Sequence, residues 1–195
     1  MTVTLLKTPI VYPYTDGKPM AESDFTRDYL LYGVDVLQYH FRNQKNIYVS
    51  GNLFIYYLQN VPDAVVAPDV FLVKGVSNKK RISYKVWEEG GLTPDWVLEV
   101  TSASTRNTDE EEKPWKYAQM GVAEYFQYDP TGDYLRPHQL KGASLVSGRY
   151  SPQKPEFLAD GVLSIHSDKI EGRRYNIVKI ESLRPLDPRQ KHLPS

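Results

Sequence analysis

Three charged residues stand apart because of where they fall. Asp69 follows Pro68 inside the extended apolar run DAVVAPDVFLVKG, residues 63–75. Glu99 lies between Leu98 and Val100 in DWVLEV, residues 95–100. An acid in a strand ordinarily faces solvent along a wet sheet edge, and that reading suffices for Asp69 taken alone. Glu99 is harder to place. A buried carboxylate without a partner is costly, so it must reach water, a cation or a metal. Two acids on neighbouring strands could share a divalent cation through oxygen ligands.

Lys113 supplies a third element, one helical turn after Asp109. As an exposed i,i+4 pair these two would contribute only ~0.2–0.5 kcal/mol. Leaning over a cation, Lys113 would instead orient water or offset charge developing on a phosphate oxygen. A lysine titrating near its usual ~10.4 is a poor base at neutral pH, so the electrostatic role is the better chemistry.

Positioning these residues requires strands and helices in a definite order. Residues 1–20 read as an irregular arm. From 21 to 41 the apolar residues Leu30, Val34, Leu37 and Phe41 follow helical spacing, with Glu22 and Asp24 near the start where the dipole favours acids and Gly33 as the weak point. Residues 46–60 read as one or two strands broken at Ser50–Gly51, and Pro68 argues for a break in 63–75. Residues 109–120 are helical up to Gly121, with Lys113, Lys116 and Met120 near one face and Trp115, Ala118 and Val122 on an apolar one. VAEYFQYDP, 122–130, is another strand. TGDYLRP, SLVSGRYSP, VLSIHS and RYNIVKI then resemble an antiparallel meander. This order predicts an α/β fold: a mixed sheet holding 47–57, 63–72, 95–100 and 122–128, flanked by helices, with antiparallel C-terminal hairpins over 131–195. One domain spanning 1–195 accommodates it.

Composition narrows the function classes. Lys plus Arg and Asp plus Glu number 24 each, so bulk charge gives no sign of a constitutive nucleic-acid binder. Cysteine is absent, which excludes disulfides, thiolate nucleophiles and cysteine zinc sites and fits a cytoplasmic setting. No apolar run approaches the ~18 residues of a membrane helix, and the N-terminus lacks a signal-peptide pattern. The fifteen tyrosines suit strands as well as an interface.

APDVF at 67–71, YKVWEEG at 84–90 and PDWVLEVTSASTRNTDEEEKPWKYAQMGVAEYFQYDP at 94–130, with the preceding YVSGNLFIYY, resemble a cyanobacterial-rich restriction endonuclease family once described only as a domain of unknown function. That family belongs to the PD-(D/E)xK nuclease superfamily. The resemblance implies a restriction-endonuclease-like core, Asp69 and Glu99 as metal-binding acids, and Lys113 as the lysine. Asp109 matches the aspartate that precedes it. Thr101 stands where the superfamily pattern places its lysine, so here the lysine comes from the following helix. Glu22 resembles an N-terminal acid of this subgroup that could approach the site.

The implied activity is a Mg²⁺-dependent endonuclease, with Mn²⁺ a substitute, acting on nucleic acid, above all DNA. Asp69, Glu99 and the Val100 backbone carbonyl would hold the ion, and cleavage would leave 5′-phosphate and 3′-hydroxyl ends. Cutting both strands would call for a homodimer. The rival reading is a catalytically degenerate nuclease fold that binds nucleic acid or a protein partner. Neutral charge favours it, as does Pro114, which would strain a helix begun at Thr108 or Asp109 but not one begun at Glu112 or Lys113. His40, His138, His166 and His192 lack ligand spacing. Lys74, Lys79, Lys80 and Arg81 read as a solvated loop, or as phosphate contacts beside the acid site.

Overall fold

The computed structural model describes residues 10–14, 24–102, 105, 112–157 and 163–171. Glu22, Asp109, His192 and the RYNIVKI stretch lie outside them. In chain order the elements are α1 (Asp24–His40), β1 (Ile47–Ser50), β2 (Ile55–Tyr56), β3 (Val65–Val66), β4 (Val70–Lys74), β5 (Tyr84–Lys85) and a 3-10 turn (Val86–Glu89). They continue with β6 (Trp96–Val100), α2 (Lys113–Met120), β7 (Glu124–Tyr128), β8 (Leu140–Val146), β9 (Arg149–Pro152), β10 (Glu156–Phe157), β11 (Leu163–Ser164) and α3 (Asp168–Glu171).

The main sheet is six-stranded, in the order β1-β4-β6-β7-β8-β9. Its parallel pair, β6 with β7, is joined through α2, as parallel neighbours require a crossover. The other neighbours run antiparallel. Leu37 of α1 and Phe41 just after it pack with Val70, Leu72, Leu98, Val100 and Phe126 on one face. Tyr117 and Met120 of α2 pack with Phe71, Val73, Val97 and Tyr125 on the other. Every residue of β6 is buried, because both faces of this central strand are covered. Gly33 lets α1 come close to β4, since a Cβ there would lie 3.0 Å from Val70 Cγ2.

The sheet departs from the expected composition in one respect. Residues 47–57 and 63–72 do not each form one strand of it. β2 and β3 pair with each other and with β5 in a separate three-stranded sheet. The pairings Ile47↔Lys74 and Ile55↔Val66 share one register, so the two arms form a single ribbon that bends and passes from one sheet to the next. The bend is at Gly51 and at Pro68–Asp69, the positions where the sequence had signalled breaks. A Cβ on Gly51 would collide with the Asp69 carbonyl oxygen and lie 2.8 Å from Val34 Cγ2. Only glycine fits there.

Three further expectations are revised. Part of the N-terminal arm is docked: the Tyr12 ring lies 5.1 Å from those of Tyr56 and Trp87. TGDYLRP is not a strand, for it wraps around the buried Asp129 carboxylate, which accepts N–H bonds from Thr131, Gly132, Tyr134 and Leu135. Trp115 is 63% exposed, and the buried side of α2 carries Tyr117 and Met120, so the Lys113 face is the inward one. An antiparallel hairpin after 130 is present as β8–β9, and it extends the main sheet, while β10 pairs with β11 apart from it.

Candidate active site

The register of β4 against β6 pairs Val70 with Leu98. Carried one residue on, it sets Asp69 beside Glu99; carried two, it sets Pro68 beside Val100. Proline has no N–H, so the backbone ladder ends there. Asp69 then turns its carboxylate back, and the Val100 N–H donates to Asp69 Oδ2 at 2.7 Å. The Pro68 carbonyl is taken by the Asn52 N–H at 2.8 Å, across the ribbon bend. Pro-Asp is thus a local device: the proline frees a strand amide and the aspartate captures it. The same register brings the Val100 carbonyl no donor from Pro68, which leaves it suited to act as an oxygen ligand.

Glu99, two residues on from Val97, shares with it the face covered by α2. It is fully buried, and both carboxylate oxygens are engaged from that helix. Lys113 Nζ donates to Oε2 at 2.8 Å, and the Tyr117 hydroxyl donates to Oε1 in a short hydrogen bond. Lys113 and Tyr117 are one turn apart, so a single helix face serves one carboxylate. The Lys113 side chain is 18% exposed, so it reaches both the acid and the solvent boundary. Pro114 falls in the first turn of α2, after Glu112, where a proline is tolerated. Its objection to an aimed Lys113 disappears.

Burial raises the Tyr117 pKa well above the usual phenol value, and the charges of Glu99 and Asp69 raise it further. Tyr117 therefore remains a hydrogen-bond donor throughout the neutral range. Thr101, on the same face of β6 as Glu99, has a buried hydroxyl without a hydrogen-bond partner. It cannot supply the missing ammonium, and Lys113 arrives from above instead.

The donor set fits a hard divalent cation. It consists of two carboxylates on adjacent strands, a main-chain carbonyl and an unsatisfied hydroxyl, all oxygen. Each carboxylate oxygen can accept a second partner beyond the bond it already makes. Among the described residues no three His, Asp or Glu side chains cluster as metal ligands, so water would complete the shell. The described histidines stay apart from it: His40 is edge-on to Phe41, His138 to Phe157, and His166 bonds Asp168 at 2.9 Å.

The basic run at 74–81 is partly committed elsewhere. Arg81 makes a two-pronged contact with Glu89, at 2.7 and 2.8 Å, and lies over the Tyr48 ring. Its remaining nitrogen bonds the Ser77 and Lys79 carbonyls and so shapes the loop that carries Lys79 and Lys80. Sequence reasoning missed Tyr117 as a site residue. Its signal was the spacing Lys-x-x-x-Tyr after a strand ending in Glu, which puts both polar tips on one helix face.

The mixed sheet with its flanking helices matches a nuclease fold. The structure is similar to that of a putative nuclease belonging to DUF820 from Anabaena variabilis, with TM-score 0.57, 87% of each chain covered and 13% sequence identity. Residues 12–171 match the family Uma2, described as "Putative restriction endonuclease". This chain belongs to that family. No match was found among curated proteins. Among the described residues, no helix is long and apolar enough to cross a membrane.

Proposed function

We propose that this protein is a metal-dependent DNA endonuclease whose site is built from Asp69, Glu99, Lys113 and the Val100 carbonyl. The observation that carries the reading is the 2.8 Å contact between Lys113 Nζ and Glu99 Oε2, beside an Asp69 carboxylate fixed to the Val100 amide. A fully buried acid with an ammonium and a phenol aimed at it is more than a surface ion pair needs. Mg²⁺, or Mn²⁺ in its place, would be held by Asp69, Glu99 and the Val100 carbonyl; when bound it polarises a phosphate oxygen and acidifies an attacking water.

The chain's own groups then have defined tasks. Asp69 is held in place through its bond to the Val100 amide. Tyr117 and Lys113 fix the Glu99 carboxylate in orientation. The Lys113 ammonium faces the developing negative charge on the phosphate and lowers its energy. Water attacks phosphorus in line, the P–O3′ bond breaks, and the O3′ leaving group takes up a proton. The products carry 5′-phosphate and 3′-hydroxyl ends. One copy cuts one strand, so cleavage of both strands would need two copies with opposed sites.

The test is cleavage of duplex DNA, single-stranded DNA and RNA with and without Mg²⁺, alongside Glu99→Gln. Mg²⁺-dependent cutting of DNA that vanishes in E99Q is the expected result. Cutting of RNA alone would replace the substrate class. Equal cutting by E99Q would remove Glu99 from the chemistry.

A further inference from the structure

We propose that a groove along the outer edge of β1 carries the sugar–phosphate backbone of the DNA strand up to the acid site; this rests on the nuclease reading. The groove, about 420 Å³, lies between the end of α1 and the loop after β4. Gln38 and Arg42 line one side, Asn78 and Lys80 the other, and Tyr48 and Ser50 of β1 lie between them.

The charge of this neutral protein is unevenly spread. Neither 36–62 nor 70–87 contains an aspartate or glutamate, yet together they hold Arg42, Lys45, Lys74, Lys79, Lys80, Arg81 and Lys85. Pairing of β1 with β4 sets the two segments side by side, so cations gather at one edge of the main sheet. Acids from outside the two segments answer some of them: Glu89 takes Arg81 and lies 3.9 Å from Lys79, and Glu88 takes Lys85. Among the described residues neither Arg42 nor Lys80 forms an ion pair. A localised basic patch is the electrostatic footprint of nucleic-acid binding, whatever the net charge.

The groove leads to the acids. Tyr48 and Ser50 are opposite Val73 and Phe71, on the sheet face that also carries Val97 and Glu99. Gly51, directly after Ser50, is packed against the Asp69 carbonyl, so this end of the groove opens at the bend that holds Asp69. A four-residue strand spans about 10 Å, the rise of about three phosphates along one DNA strand. Another β-strand does not suit this edge, because two groups of β1 already bond away from β4. The Ile47 N–H donates to the Gln44 carbonyl at 3.4 Å, and the Val49 carbonyl accepts from Gln38 Nε2 at 3.1 Å. Arg42 donates to the Tyr39 carbonyl at 2.8 Å and lies over the Tyr39 ring, which holds the guanidinium in place and leaves other N–H groups to give. Arg42 and Lys80 are donors only, as phosphodiester oxygens require.

Binding without cleavage tests the groove. The full chain in EDTA is titrated with a fluorescein-labelled duplex DNA, and with its single strand, over a series of NaCl concentrations. Arg42→Gln, Lys80→Gln and the double variant are compared with wild type and with Lys85→Gln, whose lysine pairs with Glu88 and does not line the groove. On duplex, the slope of log affinity against log salt should become shallower by about 0.9 for each groove cation removed. The double variant should bind at least about tenfold more weakly at ~0.1 M salt, and K85Q should keep the wild-type slope. Arg42 and Lys80 are exposed, so both variants should melt as wild type does. A wild-type slope in the double variant, or an equal loss in K85Q, would overturn the proposal and leave a solvated loop. So would a wild type that binds neither DNA, or that prefers poly-glutamate to DNA, which would make the occupant an acidic protein segment. If no nucleic acid is cut yet R42Q and K80Q flatten the slope, the nuclease reading fails and the groove stands. If DNA is cut and the double variant matches wild type in slope and rate, the groove fails alone.

Discussion

Glu99 and Lys113, fourteen residues apart in sequence, meet at 2.8 Å with the carboxylate wholly buried and the lysine 18% exposed. Lys113 brings an ammonium from the first turn of α2 to an acid inside the sheet–helix layer. The Glu99 carboxylate thus has a cationic partner from within the chain itself.

That pairing changes what neutralising the acid should do. With two unpaired carboxylates, Glu99→Gln would relieve repulsion and stabilise the fold. With Lys113 as partner, E99Q should destabilise it by about 1–3 kcal/mol, because an ion-pair hydrogen bond is lost while the Tyr117 contact can persist to an amide oxygen. Urea melts measure this, and calorimetric titration with Mg²⁺ should show most of the affinity gone. Unchanged Mg²⁺ binding in a folded E99Q would exclude Glu99 as a ligand.

Tyr117→Phe isolates the second contact. The ring volume stays and one charge-assisted hydrogen bond goes, so a loss of about 1.5–3 kcal/mol is expected in chemical denaturation. The phenol is held protonated by burial beside Glu99 and Asp69, so the difference between wild type and Y117F should be flat across neutral pH. A difference that titrates between pH 6 and 8 would contradict this assignment.

Gly51→Ala tests whether the ribbon bend aims Asp69. The added methyl would strike the Asp69 carbonyl oxygen and crowd Val34. Overpacking of this kind costs about 1–3 kcal/mol, and here it must also displace Asp69. G51A should therefore lose Mg²⁺ affinity beyond what its lower stability explains at a temperature where it is fully folded. Wild-type affinity in G51A would show that the bend does not set the carboxylate.

The acid–acid–lysine set was legible because its members violate their surroundings. Glu99 interrupts an apolar strand, and Asp69 follows a proline where a ladder must end. The helix α1 was legible from the spacing of Leu30, Val34, Leu37 and Phe41, and three of these are buried. What the sequence hid depends on tertiary register. Gly51 and Pro68 read as breaks, but a break does not say whether the chain turns back or passes into a second sheet. Alternation in TGDYLRP mimics a strand, while its amides converge on Asp129. Trp115 reads as core from its type alone, yet packing chose the Tyr117 side, where a phenol could reach Glu99.

Asp129 gives a pH-dependent prediction. Burial alone would raise its pKa, but N–H donors from Leu135, Tyr134 and Gly132, with the Thr131 hydroxyl, outweigh it and hold the carboxyl below its usual range. A folded pKa below the unfolded one means the stabilisation is fully present above the unfolded value of ~3.9 and is lost as pH falls through the folded pKa. Asp129→Asn should thus be less stable than wild type by about 2–3 kcal/mol at pH 7, with the gap closing in acid. Denaturant melts from pH 7 to pH 3 follow it. A gap constant over that range would show that charge is not what the loop requires.

Lys113 separates chemistry from binding. If its ammonium acts on the transition state, removing it should lower the rate of cleavage far more than substrate affinity. Lys113→Met keeps most of the stem but leaves Glu99 buried without its cation, so some stability must be lost, and rates should be compared where the variant is folded. Lys113→Arg keeps a charge that can still pair with Glu99 but cannot serve as a base near neutrality. Single-turnover cleavage at saturating Mg²⁺ should therefore show K113M reduced at least about 100-fold and K113R retaining part of the activity, with DNA affinity little changed in either. If K113R is as inactive as K113M, the lysine acts through proton transfer or a geometry that only an ammonium satisfies. If K113M cuts at the wild-type rate, the contact with Glu99 is structural and the catalytic charge must come from elsewhere in the chain.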